Sequence, residues 1–226
     1  MALFAISDLH LSFSSEKPMD IFKGWNDYVN RIESNWRRMI SPEDTVVIPG
    51  DFSWALKLDD TLADFKFLES LPGKKLLLKG NHDLWWCTIS KMKKFLADNG
   101  IESVDFVHNN SFQVGEKAVC GSRGWFDDGE PLSAKLIARE AGRLRTSIKS
   151  AKQTGLEPVV FLHYPPAYAG AICEEIFNVL EEENIKLVYH GHIHGSSLLS
   201  WAHNGVQCRL ISCDCIDFTP VLISKK

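Results

Sequence analysis

Apolar residues are spaced along the chain in two alternating rhythms: short unbroken runs, and longer stretches stepped by three and four. Unbroken runs suit strands covered on both faces, and stepped stretches suit helices with one buried stripe. The runs at 3–6, 45–48, 75–78, 104–107, 159–162 and 187–189 predict strands. Between them, Ile21, Trp25, Tyr28, Ile32, Trp36 and Met39 predict one helix face over 21–39, closed by Pro42. Further helices are expected over 61–71, stopped by Pro72-Gly73, and over 90–98 and 171–183. Another opens at Pro131 and Ser133, carries the stripe Ile137, Ala141, Leu144, Ile148, Ala151, and ends at Gly155. Residues 112–119 predict a hairpin around Gly115, and 198–223 predict antiparallel strands turning at Asn204-Gly205. The pattern is a layered α/β fold with sheets inside and helices outside.

Composition narrows the function without naming it. With 226 residues, 45% apolar and 24% charged, the expectation is a single globular domain over 1–226. A net charge of -4 gives no footprint for general nucleic-acid or anionic-membrane binding, so any phosphate affinity must be local. The opening residues lack a basic region, and no apolar run reaches membrane-spanning length; a cytoplasmic protein is expected. Six scattered cysteines fit small buried side chains in a reducing compartment, and Cys213-Asp214-Cys215 lacks the second pair that a soft-metal site needs.

Five polar segments interrupt this framework, most of them directly after a predicted strand: Asp8-Leu9-His10, Gly50-Asp51, Gly80-Asn81-His82-Asp83, Leu162-His163-Tyr164 and Gly191-His192-Ile193-His194. Loops at the carboxyl ends of strands are where α/β folds gather functional side chains. In extended backbone Asp8 and His10 would point to one side, with Leu9 in the core. Asp51 has two oxygens with which to bridge two cations, Asn81 offers an amide oxygen, and His163, His192 and His194 offer imidazole nitrogens. This mixed nitrogen and oxygen set suits Mn, Fe, Zn or Ni better than Mg or Ca.

The ordered series D-x-H, G-D, G-N-H-D, H and G-H-x-H resembles the pattern of the calcineurin-like metallophosphoesterase superfamily, and spans residues 8 to 194. The resemblance implies a two-sheet β-sandwich flanked by helices, and two divalent or trivalent transition-metal ions, with Mn, Fe or Zn foremost. One ion would be held by Asp8, His10, Asp51 and His194, the other by Asp51, Asn81, His163 and His192. It implies that His82 stands beside the metals to protonate the leaving oxygen or stabilise charge, with Asp83 orienting it. The reaction implied is hydrolysis of a phosphate ester, monoester or diester, by a hydroxide shared between the metals. Within that superfamily the chain resembles compact, functionally unassigned bacterial members with Gly-Asp-Phe-Ser-Trp and Gly-Asn-His-Asp-x-Trp-Trp. Gly80-Asn81-His82-Asp83 departs from the Gly-Asn-Arg-Asp of the lipid A pathway pyrophosphatases despite the similar Ser7-Asp8-Leu9-His10-Leu11 start.

A noncatalytic metal-binding scaffold is the alternative outside the enzyme class, and a nucleotide pyrophosphatase the alternative within it. The expected partner is a small phosphorylated substrate, nucleotides included; oligomeric state is left open. Arg123, between Ser122 and Gly124, is a candidate for a bidentate phosphate contact. Lys135, Arg139 and Arg143 form an i, i+4, i+8 stripe that is read as a solvated face, and Trp54, Trp85, Trp86 and Trp125 as packing residues. His108, His190 and His203 are assigned structural roles.

Overall fold

In a computed structural model, which describes residues 1–125 and 134–225, the chain forms two facing sheets with helices on both outer sides. The first sheet contains β1 (Ala2–Ala5), β2 (Thr45–Pro49), β3 (Lys74–Leu78) and β4 (Val104–Phe106), all parallel. The second contains β5 (Phe112–Val114), β6 (Lys117–Ser122) and β7 (Glu157–Leu162). A small ribbon of β8 (Ala167–Tyr168) and β9 (Ala171–Ile172) follows. The second sheet is completed by β10 (Leu187–His190), β11 (Ser200–His203) and β12 (Val206–Leu210), while β13 (Val221–Lys225) returns to pair antiparallel with β1. In the second sheet β6, β7, β10 and β12 run parallel, and β5 and β11 are antiparallel edges.

Alternation along the strands divides the core into three layers. Leu3, Ala5, Val47, Leu76, Val119 and Phe161 pack between the sheets. Phe4, Ile6, Val46, Ile48 and Leu77 face the other way, toward α1 (Tyr28–Met39), α2 (Leu62–Ser70) and α3 (Ile89–Asp98). Val160, Leu162 and Val188 meet α4 (Ala134–Gln153) and α5 (Glu174–Glu182). The central strands of this sandwich are therefore apolar on both faces, which is why they read as unbroken runs.

Three expectations change. The helix expected over 21–39 begins only at Tyr28, because Gly24 (φ 89°) and Asp27 (φ 55°) break the backbone; Ile21 is exposed, and Trp25 is buried in a loop. The helix expected over 171–183 loses its first turn to β9. The tail is divided between sheets: the Asn204-Gly205 turn joins β11 to β12, but β12 also pairs parallel with β10, and β13 leaves for the first sheet. The helix opening expected at Pro131 and Ser133 lies outside the described residues.

Candidate metal centre

The five polar segments converge at one rim of the sandwich, where the parallel strands of both sheets end. Asp8 and His10 follow β1, Asp51 follows β2, and Asn81, His82 and Asp83 follow β3. His163 follows β7, and His192 and His194 follow β10. The sheets are stitched together here: Ser7 N donates to Ile211 O (2.9 Å), and the Asp8 carboxylate accepts from His192 N (3.1 Å) and Ser212 Oγ (2.9 Å).

The backbone that delivers these groups is not extended. Asp8 (φ 60°), His10 (φ 47°), Asp51 (φ 50°) and His192 (φ 72°) all occupy the left-handed region, costing about 1 to 3 kcal/mol each. Asp8 and His10 reach one centre through this contorted turn and not through strand alternation, which corrects the expectation. Four such residues in one cluster are a mark of function, since packing alone gives no reason to retain them. Close approach is also built in: a Cβ on Gly80 would collide with the Asp51 carboxylate and amide, and one on Gly191 with Ser7 Oγ and the Asp8 carboxylate.

Donor atoms point inward in two groups. His10 Nε2 and His194 Nε2 face one another at 3.2 Å, with Asp8 Oδ1 3.8 Å from the latter and Asp51 Oδ2 3.8 Å from the former. His163 Nε2 lies 2.6 Å from Asn81 Oδ1 and 3.5 Å from Asp51 Oδ2, and His192 Nδ1 lies 3.0 Å from Asn81 Oδ1. Asp8, His10 and His194 form one set of ligand atoms close enough to hold an ion; Asp8, Asp51 and His163 form a second. Asp8, His10, Asp51 and His163 are buried, while His194 and the half-buried His82 line a cavity of about 450 Å³ with Met19, Phe22, Trp25 and Trp54.

Burial raises Asp8 from the ordinary carboxylate range, and raises Asp51 well above it with the Asp8 and Asp83 charges adding to the effect. Burial likewise holds His10 and His163 well below the usual imidazole range. Neutral imidazoles and crowded carboxylates without a compensating cation are what a metal site looks like from the protein's side. The residues fit transition-metal ions on their own chemistry.

Asp83 does more than a neighbour of His82 would. Its carboxylate accepts from Asp51 N (2.9 Å), Phe52 N (3.0 Å), Ser53 N (3.3 Å), Gly80 N (2.7 Å) and Trp85 Nε1 (3.1 Å). It locks the β2 and β3 loops together, and so places His82 through the backbone, with no hydrogen bond to the His82 ring among the described residues. That ring rests on Trp54 (centroids 4.3 Å apart), which also stacks on His10 (4.8 Å). Trp54 packs, but against the site's own imidazoles.

Asp214, from the Cys213–Ile216 turn, was not singled out by the sequence. Its carboxylate accepts from His194 Nδ1 (2.8 Å) and Gly195 N (2.7 Å), and, although burial opposes it, this bond helps raise His194 from its ordinary value. Second partners of this kind fix the ring and tautomer of a metal-binding histidine. Cys213 and Cys215 instead donate to carbonyls of Asp8 and Ile193. Arg123 lies at the end of β6: its carbonyl accepts from His163 N (3.2 Å) and Tyr164 N (2.9 Å), and its guanidinium lies 4.4 Å from the Trp125 ring centre. His190 is buried against Trp201, and burial lowers it to about 4.

This fold and this site define a class. The family model of calcineurin-like phosphoesterases matches residues 1–196, and the chain belongs to that family. It is a metal-dependent phosphoesterase. No curated protein matches the sequence. Solved structures share the fold: a protein from Thermus thermophilus (14% identity, 98% of this chain and 97% of that one, TM-score 0.59) and a protein of unknown function from Aquifex aeolicus (20%, 98% and 95%, 0.51). A phosphopantetheinyl hydrolase from Mycobacterium tuberculosis is similar as well (16%, 100% and 96%, 0.51).

Proposed function

We propose that the protein hydrolyses phosphate esters with two transition-metal ions, Mn, Fe or Zn, one held by Asp8, His10, Asp51 and His194 and the other by Asp51, Asn81, His163 and His192. The observation that carries this reading is the inward convergence of two donor sets that share Asp8, with Asp51 Oδ2 3.8 Å from His10 Nε2 in one and 3.5 Å from His163 Nε2 in the other. When bound, such a pair lowers the pKa of a shared water and neutralises phosphoryl oxygens.

The chain's own residues supply the rest. His82 meets the leaving oxygen from the cavity side, where Trp54 fixes its ring and burial, followed by the Lys17 charge, holds it below the ordinary imidazole value. Asp83 holds the loop that carries both His82 and Asn81. The cavity walls, Met19, Phe22, Trp25 and Trp54, suit an apolar or aromatic organic group such as a nucleobase. Among the described residues no helix is long and apolar enough to cross a membrane, and all six cysteines are unpaired. The free thiols support a reducing, cytoplasmic setting.

The test is hydrolysis of p-nitrophenyl phosphate and bis(p-nitrophenyl) phosphate by protein loaded with Mn, Fe or Zn. Metal-dependent turnover of at least one ester is expected. Full metal occupancy with no turnover of either, nor of a panel of nucleotides, would contradict the reading and favour a metal-binding scaffold.

A further inference from the structure

A second cleft opens at the same rim, at the ends of β3, β4 and β6, and the chemistry described so far does not use it. Its volume is about 160 Å³, roughly five water volumes, and its polar lining includes Lys79, His108, Arg123, Arg139, Glu140 and Arg143. Four cations and one carboxylate give it a net charge of +3, within a chain whose net charge is -4. The carboxylate is already engaged, since the buried Glu140 pairs with Arg143 at 2.5 Å. Arg123 Nε is buried without a hydrogen-bond partner among the described residues. A guanidinium nitrogen withdrawn from water and left unpaired is costly unless an acceptor arrives.

Two residues that line the cleft, Lys79 and Arg123, neighbour the candidate metal centre. Lys79 is two residues before Asn81, so their Cα atoms are no more than roughly 7 Å apart. The Arg123 carbonyl accepts from the His163 amide. The aromatic cavity, by contrast, is bordered by His10, His82 and His194, and the two clefts share no lining residue. The candidate metal centre thus has an apolar cleft beside His10, His82 and His194, and a basic one whose lining residues neighbour Asn81 in sequence and His163 by a backbone hydrogen bond.

We propose that the Lys79–Arg123–Arg139–Arg143 cleft is an anion subsite, and that the substrate is a phosphodiester or diphosphate whose non-leaving substituent carries a second phosphate or carboxylate. A monoester has a single organic substituent, which leaves on the His82 side and has nothing to place among these cations. Guanidinium groups are suited to such an anion because their planar forks match its oxygens two at a time. The stripe of Arg139 and Arg143, read from sequence as a solvated face, becomes half of a binding wall because α4 lays it against β6.

This proposal rests on the phosphoesterase reading, and its test separates the two. Metal-loaded protein is titrated calorimetrically with methylphosphonate and with propane-1,3-bisphosphonate, which adds a second anion on a short tether. The bisphosphonate should bind at least about tenfold more tightly, the scale of one charge-assisted hydrogen bond. In Lys79→Met and in Arg139→Gln, an exposed helix position whose replacement keeps the fold, that preference should fall toward onefold. In parallel, kcat/KM is compared for methyl p-nitrophenyl phosphate and its 2-phosphonoethyl counterpart, with the same preference and the same loss expected. No preference in the wild type, or one that both variants retain, overturns the subsite. If neither diester is hydrolysed while p-nitrophenyl phosphate is, the diester assignment is overturned; if no ester of any kind is hydrolysed, the phosphoesterase reading fails while the bisphosphonate titration still decides the cleft.

Discussion

Replacing Asp83 by Asn keeps shape and volume while changing one acceptor oxygen into a donor. If the new amide nitrogen faces Asp51 N and Gly80 N, two buried N–H groups lose their acceptor; if it is flipped, Phe52 N, Ser53 N and Trp85 Nε1 lose theirs. Each unsatisfied buried donor costs about 1 to 3 kcal/mol, so either orientation should cost roughly 3 to 5 kcal/mol in total. Burial has already pushed Asp83 up to about 6, so the comparison belongs at about pH 8, where the wild-type carboxylate is ionised. Urea unfolding followed by circular dichroism, with wild type and variant at equal metal occupancy, gives the difference directly. The same substitution should loosen the β2 and β3 loops and lower metal retention. A loss under about 1 kcal/mol with unchanged metal content would refute the role of Asp83 as the clamp between these loops.

The other predictions are independent of that clamp. Lys75 is fully buried, donating to Leu71 O and Ser103 Oγ, and burial lowers it to about 8. Between about pH 8 and 10.4 the unfolded chain holds a proton that the folded one has released, so stability rises with pH across that window and the penalty is constant below it. Lys75→Met removes this term: wild-type stability relative to the variant should increase by roughly 2 kcal/mol from about pH 7.5 to 10 in denaturant titrations, and a flat difference would contradict it. Asp214→Asn should weaken metal binding about 10- to 100-fold through His194, measured by chelator competition, and unchanged affinity would show that ring to be held by other means. His82→Ala should leave metals bound yet slow turnover by about two to four orders of magnitude, least for p-nitrophenyl esters and most for alkyl esters. An equal loss across leaving groups would instead favour charge stabilisation by His82.

Much of the fold was legible because each strand of a covered sheet must be apolar on both faces, and the polar segments stand out where those runs stop. The order of the five segments carried the site residues, since each rim loop of a parallel sheet follows its strand in sequence. What was hidden depends on contacts between distant segments. Trp25 lies at helical spacing from Tyr28, yet Gly24 and Asp27 turn it into a loop that packs on His10 and His194. The left-handed backbone at Asp8 and His10 is unusual for those residue types and leaves no periodic signal. Asp214 lies 20 residues beyond His194 in a segment that resembles a weak metal motif, and the parallel pairing of β10 with β12 brings their two end loops together. The basic cleft is assembled from the β3 and β6 ends and from α4, so no single window of sequence contains it.

The central claim is that Asp51 joins two metal sites, and elemental analysis of protein purified without chelator tests it most directly. The account predicts about two transition-metal ions per chain in the wild type, loss from both sites in Asp51→Asn, and loss mainly from one in His10→Ala. One ion per chain in the wild type, or two ions and normal turnover in Asp51→Asn, would contradict it.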